Sequence, residues 1–319
     1  MKVSVIGCGR WGSFIAWYLD RIEHQVTLYG RESSHNMQRF LATRSNDMLT
    51  LSENVRLSTT LNETLDTAEI IVISVNSQGL RDLMKQVADF DVSGKTIVLC
   101  MKGIEIETGK RLTEVVREYV DDSTAVAVWL GPGHVQEFCR NKPNCMVIDS
   151  QCPETIELLI SQFSSDLIRF YYGNDLIGNE IGAAAKNVIG IAAGMLDGLD
   201  MSSLKGALMS RGTREIARLI KAMGGNELSA YGLCHLGDYE ATVFSQFSHN
   251  RRFGESFVKG EDYTELAEGF YTVKAIMNLS EKYDVELPIC QAVYSILYCG
   301  KEIKEVTSSL FTRSLKQEF

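Results

Sequence analysis

The chain has 319 residues, too many for one small core, so two domains are expected. Hydrophobic content of 45% and charged content of 23% are ordinary globular values, and a net charge of −9 offers no basic patch of the kind that carries nucleic-acid binding. The eight cysteines include no CxxC pair, which excludes an obvious zinc site or disulfide framework and points to reduced thiols in the cytoplasm.

"MKVSVIGCGRWG" enters a strand and a glycine turn at once and lacks the apolar core and cleavage site of a signal peptide. Short apolar runs then alternate with helix-length segments. Strands are predicted at Lys2–Gly7, Gln25–Gly30, Glu69–Val75, Lys95–Met101, Ser123–Gly131 and Asn144–Ser150. Nearly continuous apolar strands separated by helices mean a parallel sheet covered on both faces. The pattern changes near Tyr171–Asp175, where Asn174 or Asp175 is a candidate helix cap. From there on the spacing is helical. The expected fold is α/β: a dinucleotide-binding, doubly wound domain over residues 1–173, then an all-α domain over 174–319. No membrane span is expected, because the longest uncharged runs, 287–300 and 123–136, are short and contain proline.

Gly7, Gly9 and Gly12 have GxGxxG spacing, follow the first strand and open the first helix. In that context the backbone can approach a pyrophosphate at a helix N-terminus. The second strand ends in Gly30 and Arg31, where an acidic residue would select NAD. Arg31 there either meets a 2′-phosphate or is a solvated surface residue, with Glu32 beside it. Lys102 follows the fourth long strand directly, at the strand end where open α/β sheets hold ligands.

"EIGAAAKNVIGIAAGM" (180–195) poses a sharper question. Lys186 is its only charge after Glu180, among Ala, Gly and aliphatic residues. A lysine half-buried in such surroundings moves protons readily, unless its stem packs and its head reaches water. Asp238 and Thr242 are four apart, so one helical turn would align them. "SHNRRFG" adds Ser248, His249, Asn250 and Arg251, a set suited to a small anion or to a polar loop.

These segments, with "KGIEIETG", "GP" at Gly131–Pro132, "SRGTREIARL", "AEG" and "ELPI…LYCGK", run in order and resemble the bacterial-type NAD(P)-dependent sn-glycerol-3-phosphate dehydrogenases over nearly the whole chain. The resemblance implies a Rossmann domain, a helical domain, NAD or NADP as cofactor, and dihydroxyacetone phosphate as substrate, reduced reversibly to sn-glycerol 3-phosphate for glycerophospholipid synthesis. It implies a cytoplasmic homodimer and no metal. By matching position it implies Lys186 as proton donor and acceptor, with Asn187, Asp238, Thr242 and Lys102 beside it. Gly7, Gly9, Arg10, Trp11, Gly12, Arg31, Lys102, Val135 and Glu268 would contact the cofactor. Lys102, Gly131, Lys186, Asp238, Ser248, His249, Asn250 and Arg251 would contact substrate. Three positions depart from the family pattern: Asn76 stands for proline, Gly133 for Ser or Thr, and His249 for arginine. They leave open a related dehydrogenase acting on another small ketone; a non-catalytic nucleotide-binding regulator is the further alternative.

Overall fold

The computed structural model describes residues 1–314 and residue 317. The predicted apolar runs form strands β1 (Lys2–Ile6), β2 (Gln25–Tyr29), β4 (Ile70–Ile73), β5 (Thr96–Leu99), β6 (Ala125–Leu130) and β7 (Asn144–Ser150). Two further strands, β3 (Arg56–Ser58) and β8 (Ile168–Tyr172), were not legible in the pattern. Together they make one eight-stranded sheet in the order β3-β2-β1-β4-β5-β6-β7-β8. Strands β4 and β5 are buried along their whole length, as strands covered on both faces must be.

One expectation needs correcting. β7 does not extend the parallel series; it pairs antiparallel with β6, Ala127 opposite Ser150 and Leu130 opposite Val147. The helix between them, Val135–Phe138, has four residues. That is too short to carry the chain back along the sheet for a parallel return, so it reverses. β8 then pairs parallel with β7 after a longer helix.

The helices beside the sheet are α1 (Arg10–Arg21), α2 (His35–Thr43), α3 (Leu61–Asp66), α4 (Leu80–Val87), α5 (Leu112–Arg117), α6 (Val135–Phe138) and α7 (Pro153–Phe163). Phe14 and Tyr18 of α1, Trp129 of β6 and Phe163 of α7 are fully buried in one apolar cluster. The Tyr18 and Trp129 rings meet edge-on at 5.9 Å.

The chain divides into two compact units: residues 1–102 with 110–180, and residues 103–109 with 181–319. The division between Glu180 and Ile181 falls inside a helix, and a short excursion, Gly103–Gly109, belongs to the second unit. In the first unit, Glu180 is buried and bound by the Arg111 guanidinium at 2.6 Å and by the Thr113 amide and hydroxyl.

The second unit is helical: α8 (Leu176–Gly198), α9 (Lys205–Ala222), α10 (His249–Lys259), α11 (Glu268–Lys282), α12 (Pro288–Cys299) and α13 (Ile303–Phe311). α8 runs through its middle, and small residues set how closely neighbours approach. A Cβ at Gly194 would stand 1.9 Å from the Arg251 carbonyl oxygen of α10, and one at Gly254 would stand 2.2 Å from that of Ile191. A Cβ at Gly269 of α11 would be 2.5 Å from the Asn187 carbonyl oxygen. Backbone-to-backbone contact with both α10 and α11 is why this helix reads as Gly, Ala and aliphatic residues. Among the described residues no helix is long and apolar enough to cross a membrane.

Candidate functional site

In the first unit the glycine turn closes around β1. Gly7 has φ +113, and a Cβ there would lie 2.1 Å from the Ser74 carbonyl oxygen at the end of β4. A Cβ at Gly12 would lie 1.9 Å from the Gly7 carbonyl oxygen. These two glycines lock the turn to the sheet where the strand order reverses. Gly9 differs: a Cβ there meets no protein atom within 4 Å. Gly9 is also the N-cap of α1 and supplies no side-chain cap, so the first-turn amides are left for another acceptor. Open space before an uncapped helix N-terminus is what a pyrophosphate requires.

Other expected cofactor residues lie around this turn. Trp11 packs on Phe14 and Phe138, with ring centroids 5.1 and 6.2 Å apart. Arg10 donates to Gln136 Oε1 at 2.9 Å, and Val135 is buried at the head of α6. Arg31 is exposed just after β2. Lys102 donates to the Gly131 carbonyl oxygen at 2.6 Å, which joins two of the expected substrate residues. Glu268 lies in the second unit, as the first residue of α11.

The second unit assembles the expected proton-transfer group. Lys186 is 8% exposed and Asp238 1%. The Lys186 ammonium lies 3.0 Å from Asp238 Oδ2 and donates to Thr242 Oγ1 at 2.7 Å. The Thr242 hydroxyl in turn donates to the Asp238 carbonyl oxygen, also at 2.7 Å. The alignment of 238 with 242 is not α-helical: a 3₁₀ turn, Leu236–Asp238, leads into a π-helix, Glu240–Phe244. A π-turn widens the backbone locally and re-aims side chains, which is common where residues are placed for function. A buried ammonium is tolerated here because a carboxylate and a hydroxyl accept from it.

Asn187, next to the lysine, accepts from Asn250 Nδ2 at 3.0 Å, and Asn250 Oδ1 accepts from the Gly269 amide at 2.8 Å. This chain joins α8, α10 and α11. The rest of "SHNRR" is engaged within the protein. Ser248 caps α10 by accepting from the Arg251 amide, and the His249 ring meets the Tyr263 hydroxyl at 2.8 Å. Arg251 does not present a free clamp: it donates to Asp197 Oδ2 at 2.6 Å and to Glu255, and Arg252 lies over the Tyr263 ring. Asp197 also receives Lys205 and Ser202, and these partners hold its carboxyl below the usual range against the opposing cost of burial.

Two of the departures have local causes. Asn76 caps the turn Ser77–Gly79, accepting from the Gln78 amide at 2.9 Å. Gly133 has φ +153, and a Cβ there would lie 2.4 Å from the Phe138 ring, which takes the space of a side chain. Sequence reasoning passed over His235 and Tyr239. His235 is fully buried between Gly182 and Tyr239, and nothing in the local sequence marks it.

A cavity of about 770 Å³ lies elsewhere in the second unit, among α8, α9, α12 and α13, lined by residues such as Leu199, Leu208, Ile289 and Arg211. Lys186, Asp238 and Thr242 do not border it, so size alone does not identify the chemistry.

Comparison with known proteins identifies the family. Residues 2–156 match the family model described as NAD-dependent glycerol-3-phosphate dehydrogenase N-terminus, and residues 175–308 match the corresponding C-terminus. A curated glycerol-3-phosphate dehydrogenase [NAD(P)+] from a Thermoanaerobacter species is 36% identical, over 100% of this chain and 99% of the relative. One from Fusobacterium nucleatum is 34% identical, over 100% and 98%. The crystal structure of glycerol-3-phosphate dehydrogenase from Coxiella burnetii superposes with a TM-score of 0.92 at 27% identity, covering 98% of this chain and 99% of that one.

Proposed function

From the premise that the chain belongs to the NAD-dependent glycerol-3-phosphate dehydrogenase family, we propose that it interconverts dihydroxyacetone phosphate and sn-glycerol 3-phosphate with NAD(P)H. The cofactor is NAD or NADP, and when bound it supplies or takes the hydride at the substrate carbinol carbon. The first unit would hold it: Gly7 and Gly12 fix the turn, Gly9 leaves room, and the N-terminus of α1 would receive the pyrophosphate. Arg10, Trp11, Val135 and Arg31 flank that cradle, with Arg31 placed to accept a 2′-phosphate.

Lys186 carries the proton. Its ammonium polarises the ketone and protonates the forming alkoxide; in the reverse direction the neutral amine takes the hydroxyl proton. Asp238 favours the charged form and Thr242 fixes the direction of the donor. Asn187 and Asn250 brace the helix that carries it; in the first unit Lys102 is held at the Gly131 carbonyl oxygen. The N-terminus of α10, capped by Ser248, offers oriented amides to the phosphate, and His249 sits on its first turn. The supporting observation is the buried Lys186–Asp238–Thr242 cluster. Nothing among the described residues favours a different ketone: Asn76 caps a turn, and the Phe138 ring takes the space beside Gly133. A reduced, cytoplasmic setting and a homodimer complete the proposal; Cys8, Cys100, Cys234 and Cys290 are buried free thiols, in keeping with that setting.

The test is NADH and NADPH oxidation with dihydroxyacetone phosphate. Turnover is expected with at least one cofactor, and Lys186→Met should lower kcat by about 10²- to 10⁴-fold while cofactor affinity stays within about twofold. Retained turnover in Lys186→Met removes it from the proton-transfer role. No turnover by the folded parent protein with either cofactor defeats the assignment as a whole.

A further inference from the structure

Beside Lys186 and Asp238 lies a buried imidazole that the proton-transfer scheme does not use. His235 is 0% exposed and immediately precedes the 3₁₀ turn that carries Asp238. Its Nδ1 stands 2.8 Å from the Gly182 carbonyl oxygen of α8, and its Nε2 stands 2.7 Å from the Tyr239 hydroxyl. The roles follow from the partners. A carbonyl only accepts, so Nδ1 carries the proton, and Nε2 accepts from Tyr239. Burial pushes the imidazole down to about 4, so the ring is neutral and this pattern holds across neutral pH.

Both ends of this bridge matter to the lysine. In an α-helix the carbonyl of residue 182 also accepts the amide of residue 186. His235 therefore grips the backbone group that holds Lys186, one turn away. The approach is close: a Cβ at Gly182 would lie 3.0 Å from the His235 Cβ. At the other end, Tyr239 directly follows Asp238 in the chain. One side chain thus joins the helix that bears the ammonium to the turn that bears its carboxylate.

We propose that His235, together with Tyr239, is a positioning residue: its two hydrogen bonds set α8 against the 3₁₀–π segment so that the Lys186 ammonium meets both Asp238 and Thr242. The proposal rests on Lys186 being the proton-transfer group. A residue that merely filled the core would need neither a donor toward Gly182 nor an acceptor for Tyr239, and leucine would serve. The charged and titratable groups around the ring are Lys186 from α8, and Asp238 and Tyr239 from its own segment. Thr213 and Glu215 of α9 and Cys290 of α12 stand behind Tyr239. Lys186 and Asp238 act on the ring directly.

The experiment compares His235→Leu, His235→Asn and Tyr239→Phe with the parent and with Lys186→Met, in ketone reduction with dihydroxyacetone phosphate across pH. Folding is checked by circular dichroism. His235→Leu is expected to lower kcat by about 10- to 100-fold, the scale of a misplaced catalytic group, with KM values within about twofold. Its alkaline limb should move to lower pH, because an ammonium further from its carboxylate loses its proton more readily. His235→Asn places an amide donor where Nδ1 stands and should restore a large part of kcat and return the limb toward the parent's. Tyr239→Phe, which removes only the outer bond, should show a smaller change in the same direction. Parental kcat and an unmoved limb in His235→Leu overturn the proposal. If that variant does not fold, the same parental behaviour in both His235→Asn and Tyr239→Phe overturns it, and the graded loss supports it. Activity retained in Lys186→Met would instead defeat the proton-transfer role on which the proposal stands.

Discussion

At the scale of single residues, burial decides what each ionisable group does. Lys186 was legible because a charge among alanines and glycines is conspicuous. Spacing paired Asp238 with Thr242, and only the family resemblance joined them to Lys186. The expected anion set at 248–251 has partners that composition does not reveal, because they come from elsewhere in the chain: Asp197 holds Arg251, and Tyr263 meets His249. His235 looked unremarkable because its burial is created by α8, some fifty positions away. It also gives a pH prediction. Its folded-state value, about 4, lies below the ordinary 6.5, so between these values the unfolded chain binds more protons. Stability from the neutral ring is present above about pH 6.5 and is lost as pH falls toward 4, by about 3 kcal/mol in full. His235→Asn has no such group. The stability difference between parent and variant, read by urea unfolding at pH 7 and pH 4.5, should narrow on acidification; a constant difference would contradict the buried neutral ring.

At the scale of elements, glycines determine how near α8 its neighbours come. A Cβ at Gly190 would lie 2.7 Å from Thr242 Cγ2 and 3.2 Å from Asn250 Cβ. Gly190→Ala should therefore displace the π-helix and α10 from α8, costing about 1–3 kcal/mol as overpacking and lowering kcat by loosening Thr242 from Lys186. Thermal unfolding and initial rates measure the two effects, and unchanged values for both would show that the contact can relax freely. Helix α12 illustrates a different device. The buried Glu215 accepts from the Ile289 and Cys290 amides at 2.9 Å, so a carboxylate from α9 caps it. Desolvation raises the Glu215 carboxyl despite those bonds. The helical type and spacing of α9 and α12 were predictable; that one caps the other was not.

At the scale of the whole molecule, each unit contributes separable chemistry, and the glycine turn lets cofactor binding be tested apart from folding. Gly9→Val should leave the stability of the ligand-free protein nearly unchanged, since its Cβ meets no protein atom, yet block the cradle. Gly12→Ala should destabilise the ligand-free protein, because its Cβ would meet the Gly7 carbonyl oxygen at 1.9 Å. At 100 times its Kd, NADH should stabilise the parent by about 2.7 kcal/mol and Gly9→Val hardly at all. Melting curves with and without NADH check both; a full cofactor shift in Gly9→Val would remove the turn from the binding site. Arg31→Ala should raise KM for NADPH more than for NADH, and equal effects would make Arg31 a surface residue only.

The amino-acid sequence by itself determined the alternation of apolar strands with helices, the glycine turn, the helical second half and the isolated Lys186. These are local signals: periodicity, backbone permissiveness and a charge in apolar company. Tertiary structure alone decided the reversal at β7, the excursion of residues 103–109 into the second unit, the 3₁₀–π passage at Asp238, and the partners of His235, His249 and Arg251. Each depends on groups far apart in the chain, whose meeting is set by close packing around α8 or by the geometry of sheet connections. Local pattern placed the lysine in an apolar helix; only packing surrounded it with the acceptors that make a buried ammonium tolerable.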